Sequence, residues 1–479
     1  MNQFNVLVEV AVYWGQNSYG AAHGTDTANF QKRLSYYCND NAIDVFPVAF
    51  LNVFFGTGGL PSINLANICS PSDNGTFPGT NLANCASLAS DINACQAKGK
   101  IVTISLGGAS ASTGFQSDSQ ASTFAQTIWD LFLGGSSSTR PFGSAVLDGV
   151  DLDIEGGGSA YYATFVNKIR SLASGAGKKY YVTAAPQCVF PDGALGAVLN
   201  AANFDAVYGG LHFCILITTY MISRLASQQS SSITTLVASN HLNWNYGIWD
   251  NWARVTSPNK NVKIYIGAPA SSSAAGSGYV SIATLKNIAG EMRKSFPSFG
   301  GVMLWDASQA YANNRYDLAI KNALVAAGGT GFTFPSCNAP AWSSGTSYTG
   351  GSKVSFNGYI WQAKWFASSQ PAHNPSGEWS AISACSGAGT TPTSGESCAG
   401  IAAWSSTAIY TGGAQVVYSS HLWTAQWWTQ GETPGVSSVW VDKGTCTSFQ
   451  AMKTVQSTEA TGDSKPVVSK TKNSRFFKS

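Results

Sequence analysis

Charge is what this chain has least of. Of its 479 residues only 11% are Asp, Glu, Lys or Arg, against about 25% in an average soluble protein. The formal net charge is +3, and no basic run appears before the C-terminal stretch, so neither a nucleic acid nor a membrane surface is an expected partner. Histidine is scarce too. His23, His212, His241, His373 and His421 fall in no ligand pattern, and the ten cysteines contain no C-x-x-C pair of zinc or thioredoxin type. No metal or cofactor is therefore expected. No apolar run is long enough to span a bilayer. Met1-Asn2-Gln3-Phe4-Asn5-Val6 leads almost directly into a strand-like stretch, without the basic region, apolar core and cleavage site of a secretion signal.

Neutral and aromatic residues take the place of charge. With 44% hydrophobic residues a large core can be buried, and 15 Trp with 19 Tyr is a heavy aromatic load. Flat rings among Ser, Thr, Asn and Gly suit an uncharged, hydroxylated ligand such as a sugar polymer. Cys337 to Cys385 has the same separation as Cys398 to Cys446, as a repeated disulfide-closed module would show. That argues for an oxidising, extracellular location and for a true start upstream of Met1. The alternative is a cytosolic chain with free thiols.

Length favours several domains. Eight short β-branched or aromatic runs (6–13, 45–51, 100–106, 146–154, 179–184, 204–208, 262–266 and 301–304) alternate with helix-like segments such as 27–38, 119–132, 160–172 and 282–295. Strand–helix alternation implies a parallel sheet, and eight units suit a closed (β/α)8 TIM barrel over residues 1–326; an open doubly wound sheet is the alternative. After Gly328 the composition changes. Residues 336–386 and 398–447 repeat one another: Ala341-Trp342 matches Ala403-Trp404, Tyr348-Thr349-Gly350-Gly351 matches Tyr410-Thr411-Gly412-Gly413, and Trp361-Gln362-Ala363-Lys364-Trp365-Phe366 matches Trp423-Thr424-Ala425-Gln426-Trp427-Trp428. Two small all-β modules are expected, joined by a Ser/Gly/Thr linker at 387–397 and followed by a disordered tail at 448–479.

The sharpest signal is Leu147-Asp148-Gly149-Val150-Asp151-Leu152-Asp153-Ile154-Glu155. Alternation puts Asp151, Asp153 and Glu155 on one face of a strand and Val150, Leu152 and Ile154 on the other. Three carboxyls inside a barrel cannot all ionise cheaply, so protons are shared and the outermost is expected to have a raised pKa. A carboxyl that keeps its proton near neutrality is a general acid. Glu155 would stand at the C-terminal rim of the barrel. A metal site or a solvated acidic edge are the competing readings.

This stretch resembles the D-G-x-D-x-D-x-E signature of glycoside hydrolase family 18, and Ser105-Leu106-Gly107-Gly108 resembles that family's S-x-G-G strand. Tyr13-Trp14-Gly15-Gln16-Asn17, Ala184-Ala185-Pro186-Gln187-Cys188, Gly267-Ala268-Pro269-Ala270 and Val302-Met303-Leu304-Trp305 look like its class III, plant- and fungal-type chitinases. The resemblance implies an endo-acting, retaining hydrolase of chitin. It also implies that Glu155 is the acid/base, Asp153 the partner of the substrate amide and Asp151 the proton-sharing acid beneath. Tyr13, Gln187 and Trp305 would line the subsites, with Trp305 as floor; Ser105 and Gly107 read as packing residues. Asp153 and Glu155 lie roughly 6.6 Å apart along one strand, so they cannot flank a glycosidic bond as a two-carboxylate enzyme requires. The substrate's 2-acetamido carbonyl then supplies the nucleophile. By resemblance Cys38 pairs with Cys95 and Cys69 with Cys85. The partners are chitin and chito-oligosaccharides, and the protein is expected to be a monomer.

One stretch departs from the family. After Phe204-Asp205-Ala206-Val207-Tyr208 the family continues like Val-Gln-Phe-Tyr-Asn-Asn-Pro-Cys-Gly, its Tyr contacting the acetamido group; no such motif follows here. The codons CAG-TTC-TAT-AAC-AAC-CCT-TGT-GGC encode Gln-Phe-Tyr-Asn-Asn-Pro-Cys-Gly. Read one base later, with a following A, they give Ser-Ser-Ile-Thr-Thr-Leu-Val-Ala, which is Ser231 to Ala238. Residues 209–239 thus read as intron followed by frame-shifted exon, with Cys188 losing its partner and Cys214 accidental. A non-catalytic chitin lectin is the alternative function this damage leaves open. Each repeat resembles a chitin-binding type-3 module of carbohydrate-binding families 5 and 12. Trp365–Phe366 and Trp427–Trp428 are expected to include the sugar-stacking rings, one of each pair facing out and the other in. Trp342, Trp404, Trp361 and Trp423 are expected in the core.

Overall fold

Alternate residues of the strand-like runs part to opposite faces of one sheet. Val10 and Val12, Val150 and Leu152, and Val302 and Leu304 join one large apolar cluster. Ala11 and Tyr13, Ala206 and Tyr208, and Met303 join a second, separate one. Two cores on the two sides of one sheet are what a closed barrel wrapped in helices requires.

The computed structural model describes residues 9–187, 189–209, 245–328, 331–386, 398, 401–419, 421–425, 427–435, 437 and 439–446. Its first strands are β1 (Val10–Val12), β2 (Val45–Val53), β3 (Ser62–Ile63), β4 (Ile101–Gly107), β5 (Gly149–Asp153), β6 (Tyr181–Ala184), β7 (Ala206–Gly209), β8 (Lys263–Pro269) and β9 (Phe299–Trp305). They pair in the order β1-β9-β8-β7-β6-β5-β4-β2-β3, and β1 also pairs with β2, which closes the ring. Every pair is parallel except β2–β3, so eight parallel strands form the barrel and the open sheet is excluded. The hairpin strand β3, only two residues long, was not anticipated.

Helices Asp118–Phe132, Tyr162–Ala173 and Ile282–Ser295 stand where expected. The segment 27–38 does not form one helix. It splits into a 3-10 turn, Thr27–Asn29, and a single turn, Leu34–Tyr37. The cause is tertiary: the Gln31 side chain accepts the backbone N–H groups of Gly15 (2.7 Å) and Asn17 (3.2 Å), and Asn17 Oδ1 accepts Gln31 N (2.8 Å). Those buried bonds hold the chain extended at Gln31 and fix the loop that follows β1.

Beyond the barrel the first repeat folds as an antiparallel sheet of β10 (Lys353–Phe356), β11 (Tyr359–Ala363) and β12 (Trp379–Ala384). The second has a short pair, β13 (Ile409–Tyr410) with β16 (Thr429–Gln430), and a sheet of β14 (Gln415–Tyr418), β15 (His421–Ala425) and β17 (Trp440–Thr445). Disulfides join Cys38 to Cys95, Cys69 to Cys85, Cys337 to Cys385 and Cys398 to Cys446. The free-thiol alternative therefore fails for all the described cysteines. Cys188, Cys214, the departing stretch from residue 210, the linker 387–397 and the tail 448–479 lie outside the described residues.

Candidate active site

Strand register explains the chemistry around Asp151. In the β4–β5 pair Ser105 stands opposite Asp151, and in the β5–β6 pair Thr183 does. Each points inward and donates its hydroxyl: Ser105 Oγ to Asp151 Oδ2 at 2.7 Å, Thr183 Oγ1 to Oδ1 at 2.6 Å. Tyr13, at the end of β1, reaches across the barrel and gives a third bond to Oδ2 at 2.8 Å. Burial pushes the Asp151 carboxyl up, and the three hydroxyls oppose that rise by favouring the carboxylate. Burial and the Asp151 and Asp153 charges drive the Tyr13 phenol well above 10, so it remains a donor.

Asp153 is the last residue of β5, buried, opposite Gly107 of β4. Gly107 has φ +122°, and a Cβ there would lie 1.9 Å from the Asp153 carbonyl oxygen. Only glycine permits that approach. Burial first, then the Glu155 and Asp151 charges, raise the Asp153 carboxyl well above its usual range. Glu155 follows two residues past the strand end and is exposed at the rim, where Gly156, Gly157 and Gly158 begin. The expectation of three strand-borne acids is corrected in one respect: the strand stops at Asp153, two residues short of Glu155. Burial raises the carboxyls of both Asp151 and Asp153. Ser105, read as packing, is a hydrogen-bond donor to Asp151.

A carboxyl lifted by burial holds its proton more tightly in the folded chain than in the unfolded one. Its ionisation therefore costs stability: nothing below pH 3.8, more as pH climbs toward the folded pKa, and constant above it. Asp153→Asn is expected to raise Tm by roughly 2 °C or more at pH 7 and to leave it unchanged at pH 3. Thermal melts of both proteins at the two pH values check this; an equal gain at both would show that charge is not the cause.

Above Asp151 the rings of Tyr13, Phe50 and Trp305 meet. Trp305 stacks on Phe50 at 5.8 Å between centroids and 19° between planes, and lies 5.5 Å from Tyr13. Phe50 was missed in the sequence, as was Thr183; a polar residue on the inward face of an apolar strand was the available signal for Thr183. Tyr208 and Tyr265 also face the interior, perpendicular to one another at 5.2 Å. Asp306, next after Trp305, accepts Ser18 N (3.0 Å), Gln309 N (3.0 Å) and Ser308 Oγ (2.6 Å), which ties the end of β9 to the loop after β1. Gln187 is exposed at the rim beyond β6, its backbone N–H held by buried Asp192 at 2.9 Å. Among the described residues no group of three or more His, Cys, Asp or Glu side chains is arranged to hold a metal ion.

The repeats differ from expectation in one respect. β11 and β15 end at Ala363 and Ala425, so the aromatic pairs lie on the bends that follow, not on alternating strand positions. Both rings of each pair face solvent: Trp365 is 43% exposed, Phe366 60%, Trp427 54% and Trp428 59%. Trp361 is buried, whereas Trp342, Trp404 and Trp423 are half-buried against their cores.

Comparison with known proteins agrees with this geometry. The model of "Glycosyl hydrolases family 18" matches residues 9–291, and that of "Carbohydrate-binding module family 5/12" matches residues 403–441. The chain is 45% identical over 322 residues to Chitinase 2 of Rhizopus oligosporus, which covers 67% of this chain and 53% of that protein. It is 40% identical over 328 residues to Endochitinase 33 of Trichoderma harzianum, covering 67% and 92%. The chain thus spans about half the length of the Rhizopus relative. The crystal structure of the ICChI chitinase from Ipomoea carnea superposes with a TM-score of 0.50 at 30% identity, over 66% of this chain and 99% of that one. With the family match running through the acidic strand and over more than half of its length, the chain belongs to glycosyl hydrolases family 18.

Proposed function

We propose that the protein is an extracellular endochitinase that cleaves β-1,4 links between N-acetylglucosamine units with retention of anomeric configuration. The observation that carries this reading is the stack of two buried carboxyls beneath one rim carboxyl, all from a single strand and its end. Such a stack offers a proton on one side of a bond and no nucleophile on the other. The sugar's 2-acetamido oxygen attacks its own anomeric carbon as Glu155 gives a proton to the leaving oxygen. Asp153 receives the amide N–H and offsets the positive charge that develops on the ring. Asp151, held by three hydroxyls, stays fixed as the charge that keeps the proton shared between Asp153 and Glu155. Water then opens the oxazolinium, with Glu155 as base. Trp305, backed by Phe50 and Tyr13, is the floor of the reacting subsite, and Gln187 a rim contact. The disulfides support secretion.

Colloidal chitin and a glycoprotein, each incubated with the protein, test the reading. Chito-oligomers released from chitin alone, first as β-anomers, are expected; α-anomers or release from the glycoprotein instead would overturn it. The exposed pairs carry a separate expectation. Trp427→Ala combined with Trp428→Ala should weaken retention on insoluble chitin about tenfold without changing hydrolysis of soluble oligomers.

A further inference from the structure

The two repeats look alike in sequence but are placed differently. The first is packed into the large outer core of the barrel: Val354, Tyr359, Trp361, Trp379 and Ala381 belong to the same apolar cluster as the strands. At the centre of the contact is Asp250, wholly buried on the barrel helix Tyr246–Asn251. Its Oδ1 accepts the backbone N–H of Ser298, just before β9, at 3.0 Å; its Oδ2 accepts the Tyr359 hydroxyl of β11 at 2.8 Å. One carboxylate therefore joins barrel to repeat. Arg254 donates to the same phenol at 2.8 Å, pairs with Asp250 at 3.3 Å, and lies over the rings of Tyr359 and Phe334. On the same helix Gly247 meets β12 so closely that a Cβ would come within 2.5 Å of the Ala381 carbonyl oxygen.

Among its described residues the second repeat shows no counterpart of this clamp. Its strands β15 and β17 pair Trp423 with Asp442 where β11 and β12 pair Trp361 with Ala381, and the residue two before the Trp is His421 in place of Tyr359. Geometry also decides what the seated repeat can do. Ser298 marks the N-terminal end of β9, and Trp305, at the site, its C-terminal end. Seven residues of strand span roughly 23 Å, so the seat is remote from the acids and leaves the rim open. Tyr359 and the exposed Trp365–Phe366 pair lie at opposite ends of β11, so seating one end leaves the sugar-facing end free.

We propose that the repeats divide the work: the first is a fixed wall of the catalytic body, clamped through Asp250, Tyr359 and Arg254, and holds a chitin surface at a set angle to the cleft. The second binds chitin without setting that angle. This rests on the chitinase reading above. A fixed angle matters only when the substrate is itself a rigid surface, so polymer and soluble substrate separate the cases.

Two variants of the full chain, both remote from the acids, test it. Tyr359→Phe removes both phenol hydrogen bonds. Gly247→Ala drives a methyl group against Ala381 while improving the helix that carries it. In the wild type the barrel and first repeat are expected to unfold in one calorimetric transition, and in Gly247→Ala in two. Each variant should lose about threefold or more in rate on insoluble chitin, while binding to chitin and the rate on a soluble chito-oligosaccharide stay within about twofold. An unchanged polymer rate, or an equal fall on polymer and oligosaccharide, overturns the proposal. If neither the wild type nor the protein with the family's strand restored after Tyr208 cleaves either substrate, the chitinase reading has failed. Separate transitions of barrel and first repeat in the wild type would overturn the clamp as well.

Discussion

Glu155→Gln is expected to lower kcat on chito-oligosaccharides by about 10³-fold while KM stays within about threefold. The amide keeps the size of the side chain and its exposed place at the rim, so sugar still binds. What it cannot do is release a proton to the leaving oxygen. Neither inner carboxyl can replace it. Asp151 is held at the barrel interior by hydroxyls of Ser105, Thr183 and Tyr13, and Asp153 is buried beneath the rim. The loss falls on kcat because proton donation exists only in the transition state. Steady-state kinetics on a soluble oligomer measure both constants. A variant within tenfold of wild type would leave Glu155 without the role of acid.

The second large effect concerns the stretch that departs from the family. The spliced transcript is expected to encode Val-Gln-Phe-Tyr-Asn-Asn-Pro-Cys-Gly after Tyr208. The protein made from it is expected to be about 10²-fold or more active than the 479-residue chain. Structure supplies the reason. Among the described residues β7 pairs with β8 up to Gly209 opposite Ile266, and β8 runs on to Pro269 beside Trp305. Tyr208 faces the barrel interior. A Tyr four residues farther along a continuing strand shares that face and arrives at the mouth, near Trp305 and the acids. Sequencing the transcript decides the matter first: a faithful copy of residues 209–239 would overturn it. Activity of the two proteins, side by side, decides the rest.

The eight strands and the acidic face were legible because both depend on alternation, which is local. Register is not local. Nothing in the run 179–184 says that Thr183 will stand opposite Asp151, so its hydrogen bond could not be read, and Ser105 looked like packing for the same reason. The segment 27–38 has helical spacing, but Gln31 is spent on backbone groups of the loop after β1, a partnership between distant residues. Trp427–Trp428 was placed on a strand because the strand's end at Ala425 is not marked by Gly or Pro. The clamp was invisible for a different reason. Tyr359 stands where the second repeat has His421, but what gives that difference its meaning is an aspartate 109 positions earlier.

Asp250 also bears on where a shortened gene can safely stop. Ending it where the family match ends, at residue 291, would delete β9, and with it the closing strand and Trp305. Ending it before the first repeat would keep the ring but strip the cover from a carboxylate that is now wholly enclosed, and lay bare the helix beside it. The shortest version that leaves the barrel as it stands runs past Cys385, so that its bond to Cys337 is kept.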